Sequence, residues 1–287
     1  MAAGCLALAG CTGGTPPAAG PGGPGTAGAG GPATAAPTGG PGTGPAPGTA
    51  APGAATGTPE PPPAAAGGPV AGAPVVVLDA GHNGGNTAHR AEIARPVPDG
   101  RGGTKACNTT GTATAAGYPE HAFNFDVAQR TERVLEAAGV RVVLTRPDDS
   151  GVGPCVDVRG TAGQRANAAA VVAIHADGAA PSGSGFHVAL ASPPLNPAQA
   201  GPARALGAAL HDALRGAGFH ESTYLGERGI SLRPDLAGLN LATRPAALVE
   251  CANMRNPGDA AVVSSADGRQ RYATALAAGI IAYLRHP

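Results

Sequence analysis

The chain has no tryptophan and only four tyrosines and four phenylalanines, and charged residues make up just 13% of it. Lysine plus arginine equals aspartate plus glutamate at 19 each, so the formal net charge is zero. Without a basic stripe interleaved with aromatics there is no electrostatic footprint for nucleic acid, which is excluded as a partner. No apolar run approaches the about 20 residues that a bilayer-spanning helix needs. No C-x-x-C pair occurs among the five cysteines, which excludes a structural zinc ribbon.

Much of this scarcity has one source. From Thr12 to Ala73 the chain is almost entirely Gly, Pro, Ala and Thr, and Glu60 is its only charged residue. Such a stretch has nothing to bury against its ordering entropy and reads as a disordered tether. Its prolines make it more extended than a Gly/Ser linker. Ahead of it, the eleven residues MAAGCLALAGC are short, small and apolar. Leu8-Ala9-Gly10-Cys11 resembles a bacterial lipobox, although no basic residue precedes it. Residues 1–11 are therefore expected to be a signal remnant, with Cys11 the candidate for lipidation. The expected location is the cell envelope, as a membrane-anchored lipoprotein or otherwise a secreted protein. Residues 74–287 are left as one domain with a sizeable core.

Cys107 and Cys155 both lie in loop-like sequence of a domain expected to be exported, so they are candidate disulfide partners, with two free thiols as the alternative. Closing a loop of that size would contribute on the order of 3–4 kcal/mol in the chain-entropy model. Cys251 sits in an apolar run and is expected to be a buried small hydrophobe.

What is present is an alternation of strands and helices. Strands are expected at Val75–Asp79, Val140–Thr145, Val171–His175, Gly185–Leu190 and Ala246–Glu250. Helices are expected from Tyr118-Pro119-Glu120 to Gly139, over Asp157–Ala169, Pro202–Arg215 and Arg269–Arg285, with a short turn opened by Asn256-Pro257-Gly258-Asp259. The stretch from Gly81 to Gly117 reads as a long Gly/Thr/Asn-rich excursion, and the section before Leu241 as loop-rich. This alternation implies an α/β fold, one sheet covered by helices on both faces.

Three of the strands end on residues that carry chemistry. PVVVLDAGHN delivers His82, VVAIHAD delivers His175 and AALVEC delivers Glu250. In open α/β sheets the crevice beyond the strand ends is where ligands bind. Two histidines and a carboxylate there suggest a metal site with an acid/base partner. A catalytic zinc takes three protein ligands and leaves one position open. Glu120 is the best third candidate because it begins a helix, whereas His121 points roughly a quarter-turn away. His187, on the strand GFHVAL, is expected to be packed or half-exposed, with lining the cleft as the alternative. His89, His121, His211, His220 and His286 are expected at the surface. Asp79 and Asp177 are candidates to orient the histidines. The excursion is expected to form a flap whose arginines, Arg101 among them, meet substrate carboxylates.

The ordered motifs LDAGHNG, YPEHAFNFDVAQR, IHAD and LVECANMRNP resemble those of the zinc-dependent N-acetylmuramoyl-L-alanine amidases that cut peptidoglycan, most closely the compact actinobacterial type. The likeness covers Val75 to Leu284. It implies a twisted mixed, mostly parallel sheet flanked by helices on both faces. It implies zinc ligands at His82, Glu120 and His175, a catalytic Glu250, and a Cys107–Cys155 disulfide. It also implies cleavage of peptidoglycan through zinc-activated water; the neutral charge and the missing wall-binding module point to peptidoglycan fragments or muropeptides as substrates, and a monomer is expected. Ala252 departs from the glycine common in relatives, and it is expected to tighten a turn beyond the active-site strand. There is no recognisable wall-binding repeat. Rival readings are another zinc peptidase acting on wall peptides and a catalytically inactive wall-binding lipoprotein.

Overall fold

A computed structural model describes residues 72–286. The expectations for Cys11, for residues 1–11 and for nearly all of the tether lie outside the described residues. The elements in chain order are β1 (Val75–Ala80), α1 (Arg90–Ile93), β2 (Pro96–Pro98), β3 (Thr104–Ala106), α2 (Glu120–Ala137), β4 (Arg141–Leu144), α3 (Val156–Gly160) and α4 (Ala162–Arg165). They continue with β5 (Ala170–Asp177), β6 (His187–Ala191), α5 (Pro197–Gly216), β7 (Ile230–Arg233), α6 (Ala237–Asn240), β8 (Ala246–Asn253), α7 (Pro257–Ser264) and α8 (Ala266–Arg285).

Six strands form one sheet in the order β4-β1-β5-β8-β6-β7. The neighbours from β4 to β8 are parallel, β6 is antiparallel to β8, and β7 is parallel to β6. The sheet is thus mixed and mostly parallel, as expected, with one reversal of direction at the β8–β6 junction.

Its two faces are covered unequally. The long helices α2, α5 and α8 bury Phe123, Val127, Leu206, Leu210, Leu276 and Ile280 against one face. The short α4 and α6 cover the other with Ala162 and Leu239. Alternation along a strand sends every second side chain to the same face. Val75 and Val77 of β1 lie on the thinly covered face, which places Asp79 there too. By the same count His175 follows Val171, and Glu250 follows Ala246 and the partly buried Leu248. The candidate residues therefore emerge on the open side of the sheet, where no long helix blocks approach.

Several expectations need correction. The single helix over Asp157–Ala169 is two short ones, because the Thr161 hydroxyl donates to the Asp157 and Val158 carbonyls at 3.0 and 3.1 Å and competes with the helical ladder. Helix α5 starts five residues before Pro202, since Asn196 caps it by accepting from Gln199 N. The loop-rich section holds β7 and α6, and the excursion contains α1 and the β2–β3 hairpin. Ala252 does not sit in a turn: it is buried within β8, which runs on to Asn253. Two of the five expected surface histidines, His121 and His211, are half-buried and paired with acids. His121 meets Asp149 at 2.7 Å and His211 lies between Asp212 and Glu221 at 2.9 and 3.0 Å. His187 is packed, with no exposed surface at all. Cys107 and Cys155 form a disulfide across 48 positions, and Cys251 is a buried free thiol.

Candidate active site

His82 follows the end of β1 with φ of 58°, a left-handed conformation uncommon outside glycine. It is held there from several sides. Gly81 N donates to Ile174 O at 3.0 Å, and the His82 Nδ1–H reaches Thr109 O at 3.0 Å. Two buried arginines grip the same turn. Arg159 donates to Ala80 O and His82 O, both at 2.7 Å, and Arg146 to Ala80 O at 2.9 Å. Gly81 must be glycine, because a Cβ there would collide with the His175 ring.

Glu120 is the first residue of α2 and heads its buried stripe of Phe123, Asn124, Val127, Thr131 and Leu135. That register turns a carboxylate inward at a helix N-terminus, where the dipole favours negative charge. Its Oε1 lies 3.2 Å from His82 Nε2 and 3.0 Å from His175 Nδ1. Its Oε2 accepts from Thr112 N at 3.0 Å, in the segment that returns from the excursion. The His82 and His175 rings stand edge to face, 4.9 Å between centroids. His82, Glu120 and His175 bring donor atoms to within 4.8 Å of one another, an arrangement able to hold a metal ion. Burial raises the Glu120 pKa, but the two imidazoles outweigh it and hold the group well below the usual carboxylate range.

Glu250 is paired in register with His175 across the β5–β8 ladder. Burial first, then the like charges of Glu120 and Asp177, push its carboxyl well above the usual range, against the opposing charge of Arg233. His82, Glu120, His175 and Glu250 all line one cleft of about 470 Å³. Four residues far apart in the sequence thus meet at one place.

Asp79 and Asp177 do not orient the histidines. Asp79 is committed to Arg159 at 2.6 Å and to the Thr145 hydroxyl, and Asp177 accepts from Gly178 N. Arg101 is likewise engaged in the scaffold: it donates to Pro234 O at 2.8 Å and Pro193 O at 2.7 Å, strapping the hairpin to the far wall. The Thr109–Thr112 part of the excursion does line the cleft. Arg146 and Arg159 were not singled out from the sequence. Their only signal was that they are arginines in a charge-poor chain, Arg146 just beyond a strand and Arg159 inside a short helix.

Residues 76–282 match the amidase_3 family, described as N-acetylmuramoyl-L-alanine amidase. The chain is 48% identical over 210 residues to the N-acetylmuramoyl-L-alanine amidase Rv3717 of Mycobacterium tuberculosis, covering 73% of this chain and 86% of that protein. It is similar to the crystal structure of the amidase Ami1 from Mycobacterium smegmatis, with a TM-score of 0.73 and 48% identity, over 75% of this chain and 98% of the other. The apo form of Ami1 from Mycobacterium abscessus gives a TM-score of 0.71 at 47% identity, over 74% and 98% of the two chains. Sequence, fold and site converge, and the chain belongs to the amidase_3 family of N-acetylmuramoyl-L-alanine amidases.

Proposed function

We propose that this amidase hydrolyses the bond between N-acetylmuramic acid and the L-alanine of the peptidoglycan stem peptide, with zinc held by His82, Glu120 and His175 and with Glu250 as general base and acid. The observation that carries this reading is the convergence of two imidazoles and one carboxylate beside a carboxyl of raised proton affinity. That donor set suits zinc better than the all-oxygen shells of calcium or magnesium or the thiolate shells of structural sites. Zinc, when bound, supplies a Lewis acid that polarises the scissile carbonyl and lowers the pKa of water.

The protein groups do the rest. Thr109 O fixes the His82 tautomer by accepting from Nδ1–H, which leaves Nε2 with a lone pair for the metal. Glu250, whose burial raises its proton affinity, takes a proton from the attacking water. It then gives that proton to the departing amine of L-alanine, while the oxygen of the water stays on the lactyl carboxylate. Glu250 ends the cycle as it began.

The same reading places the enzyme outside the cytoplasm at the envelope, with Cys11 as a lipid anchor, residues 12–73 as the tether and 74–287 as the catalytic domain. Incorporation of a labelled fatty acid into the wild type and not into Cys11→Ala tests the anchor.

The amidase assignment is tested by mass spectrometry of muropeptides digested by the purified chain with added zinc, beside Glu250→Ala. The wild type should release stem peptides with a free L-alanine amine and a new lactyl carboxylate. Glu250→Ala should keep its zinc and lose about 10²–10⁴-fold in rate. Release of a D-amino acid would instead make the chain a carboxypeptidase. Bound zinc without any cleavage would make it a wall-binding protein.

A further inference from the structure

Glu250 has a register partner on each side: His175 on β5 and, across the one antiparallel junction, His187 on β6. Residues directly opposed in such a pair share a face, with Cβ atoms about 4.5–5.5 Å apart. The open face of the sheet therefore carries the row His175, Glu250, His187. His175 belongs to the candidate metal cluster, whereas His187 has no part in the reaction as derived above.

His187 is completely buried, and neither ring nitrogen has a hydrogen-bonding partner among the described residues. The ring of Tyr224 stands edge-on to it, 6.0 Å away, and the Tyr224 hydroxyl, which faces the Asp177 carboxylate, is also buried and without a hydrogen bond of good geometry. So is Oε2 of Glu250. These three side chains supply four of the six buried unpartnered polar atoms among the described residues. Buried polar groups are nearly always hydrogen-bonded, and an apolar side chain would fill this position at lower cost. Exceptions gather where function overrides stability.

The charged and titratable groups around His187 are Asp177 from β5, Arg233 from β7, Tyr224 from the preceding loop and Glu250 from β8. Burial holds the imidazole down to about 4, with Arg233 acting in the same direction and Asp177 opposing. It is therefore neutral at working pH and carries one N–H donor and one lone pair. A general acid/base must be held in both of its states. As a carboxylate it needs a donor, and as a carboxylic acid it needs an acceptor. A neutral imidazole with both nitrogens uncommitted offers both.

We propose that His187, together with the Tyr224 hydroxyl, is the positioning residue for Glu250, holding its inner oxygen directly or through one enclosed water in both protonation states. This rests on Glu250 being the acid/base of the amidase reading. No net proton resides on the imidazole at any point.

The test compares His187→Leu, His187→Gln, Tyr224→Phe and Glu250→Gln in the zinc-loaded full chain, measuring kcat, KM, zinc content and thermal midpoint. His187→Leu should lower kcat at least about tenfold, with KM and zinc content unchanged and a thermal midpoint equal or higher. His187→Gln keeps a donor and an acceptor and should recover most of kcat. Wild-type kcat in folded His187→Leu, or equal losses in the Leu and Gln variants, would overturn the proposal. Should His187→Leu fail to fold, Tyr224→Phe decides: reduced kcat at unchanged KM supports the pairing and unchanged kcat refutes it. Glu250→Gln separates the two levels. If it stays active, the role of Glu250 itself falls and the proposal with it. If it is dead while His187→Leu is fully active, only the proposal falls.

Discussion

Arg159 donates to Asp79, Ala80 O, His82 O, Gly153 O and Pro154 O at 2.6 to 3.0 Å, so its guanidinium is fully spent on tying the turn that presents His82 to the Gly153-Pro154 loop. Burial pushes the Asp79 carboxyl up, but Arg159, the Thr145 hydroxyl and His175 pull it further down, and the net shift is a lowering. A lowered carboxyl contributes its stability fully above the ordinary carboxylate range and loses it as pH falls through its own depressed value. Asp79→Asn should therefore cost about 3–5 kcal/mol near neutrality, because it strands a buried guanidinium. Urea unfolding followed down the pH scale should show the gap to the wild type closing in acid; a gap that ignores pH would mean that the contact is packing rather than charge. His82, His175 and Glu250 were legible in the sequence because each closes an apolar run, although β5 and β8 continue past them to Asp177 and Asn253, and Glu120 because it begins a helix. The partners of those residues were not. Arg159 and His187 act through tertiary placement, and nothing local to VDVRG or GFHVAL distinguishes a clamp or an orphaned imidazole from an ordinary side chain.

At the scale of elements, the parallel strands were readable as valine-rich runs, α2 as an apolar stripe with a recognisable start, and α8 as an apolar-rich run whose true start at Ala266, capped by Ser265, lies three residues before the expected Arg269. Short pieces escaped because their reasons are remote. Strand β7 exists by pairing with β6, and the β2–β3 hairpin is held by the disulfide beside it and by Arg101 beyond it. Cys107 and Cys155 pack with Val97 in a small cluster of their own, away from the main core. The disulfide is thus much of what organises this wall, and the same segment carries Thr109, whose carbonyl holds His82. Cys107→Ala with Cys155→Ala should lower the unfolding free energy by about 3–4 kcal/mol in denaturant titration. It should also weaken zinc affinity in a competition assay. Loss of stability with zinc affinity intact would show that the wall and the His82 turn are independent.

For the molecule as a whole, the site joins residues from both ends of the folded region, so an ion bound there should stabilise all of it. Free zinc at a thousand times its dissociation constant adds about 4 kcal/mol to a protein that binds it only when folded. A rise in thermal midpoint on adding zinc, abolished by chelator and largely lost in Glu120→Gln, is the expected result; an equal rise in Glu120→Gln would place the ion elsewhere. The overall architecture followed from the strand and helix alternation, but the reversal at β6 did not, because strand direction is decided by connections that composition does not encode. The strap across the cleft has a bearing on timing. Arg101 reaches Pro193 across 92 positions and Pro234 across 133, and Lys105 reaches Asp235 across 130. Contacts between such distant parts of a chain form late. The hairpin made early in synthesis can be tied by its disulfide once Cys155 is made, but its strap closes fully only when Pro234 and Asp235 have followed, just ahead of the strand that bears Glu250. A growing or prematurely ended chain thus lacks both the wall and the acid, and the hydrolase is silent until its last third has arrived.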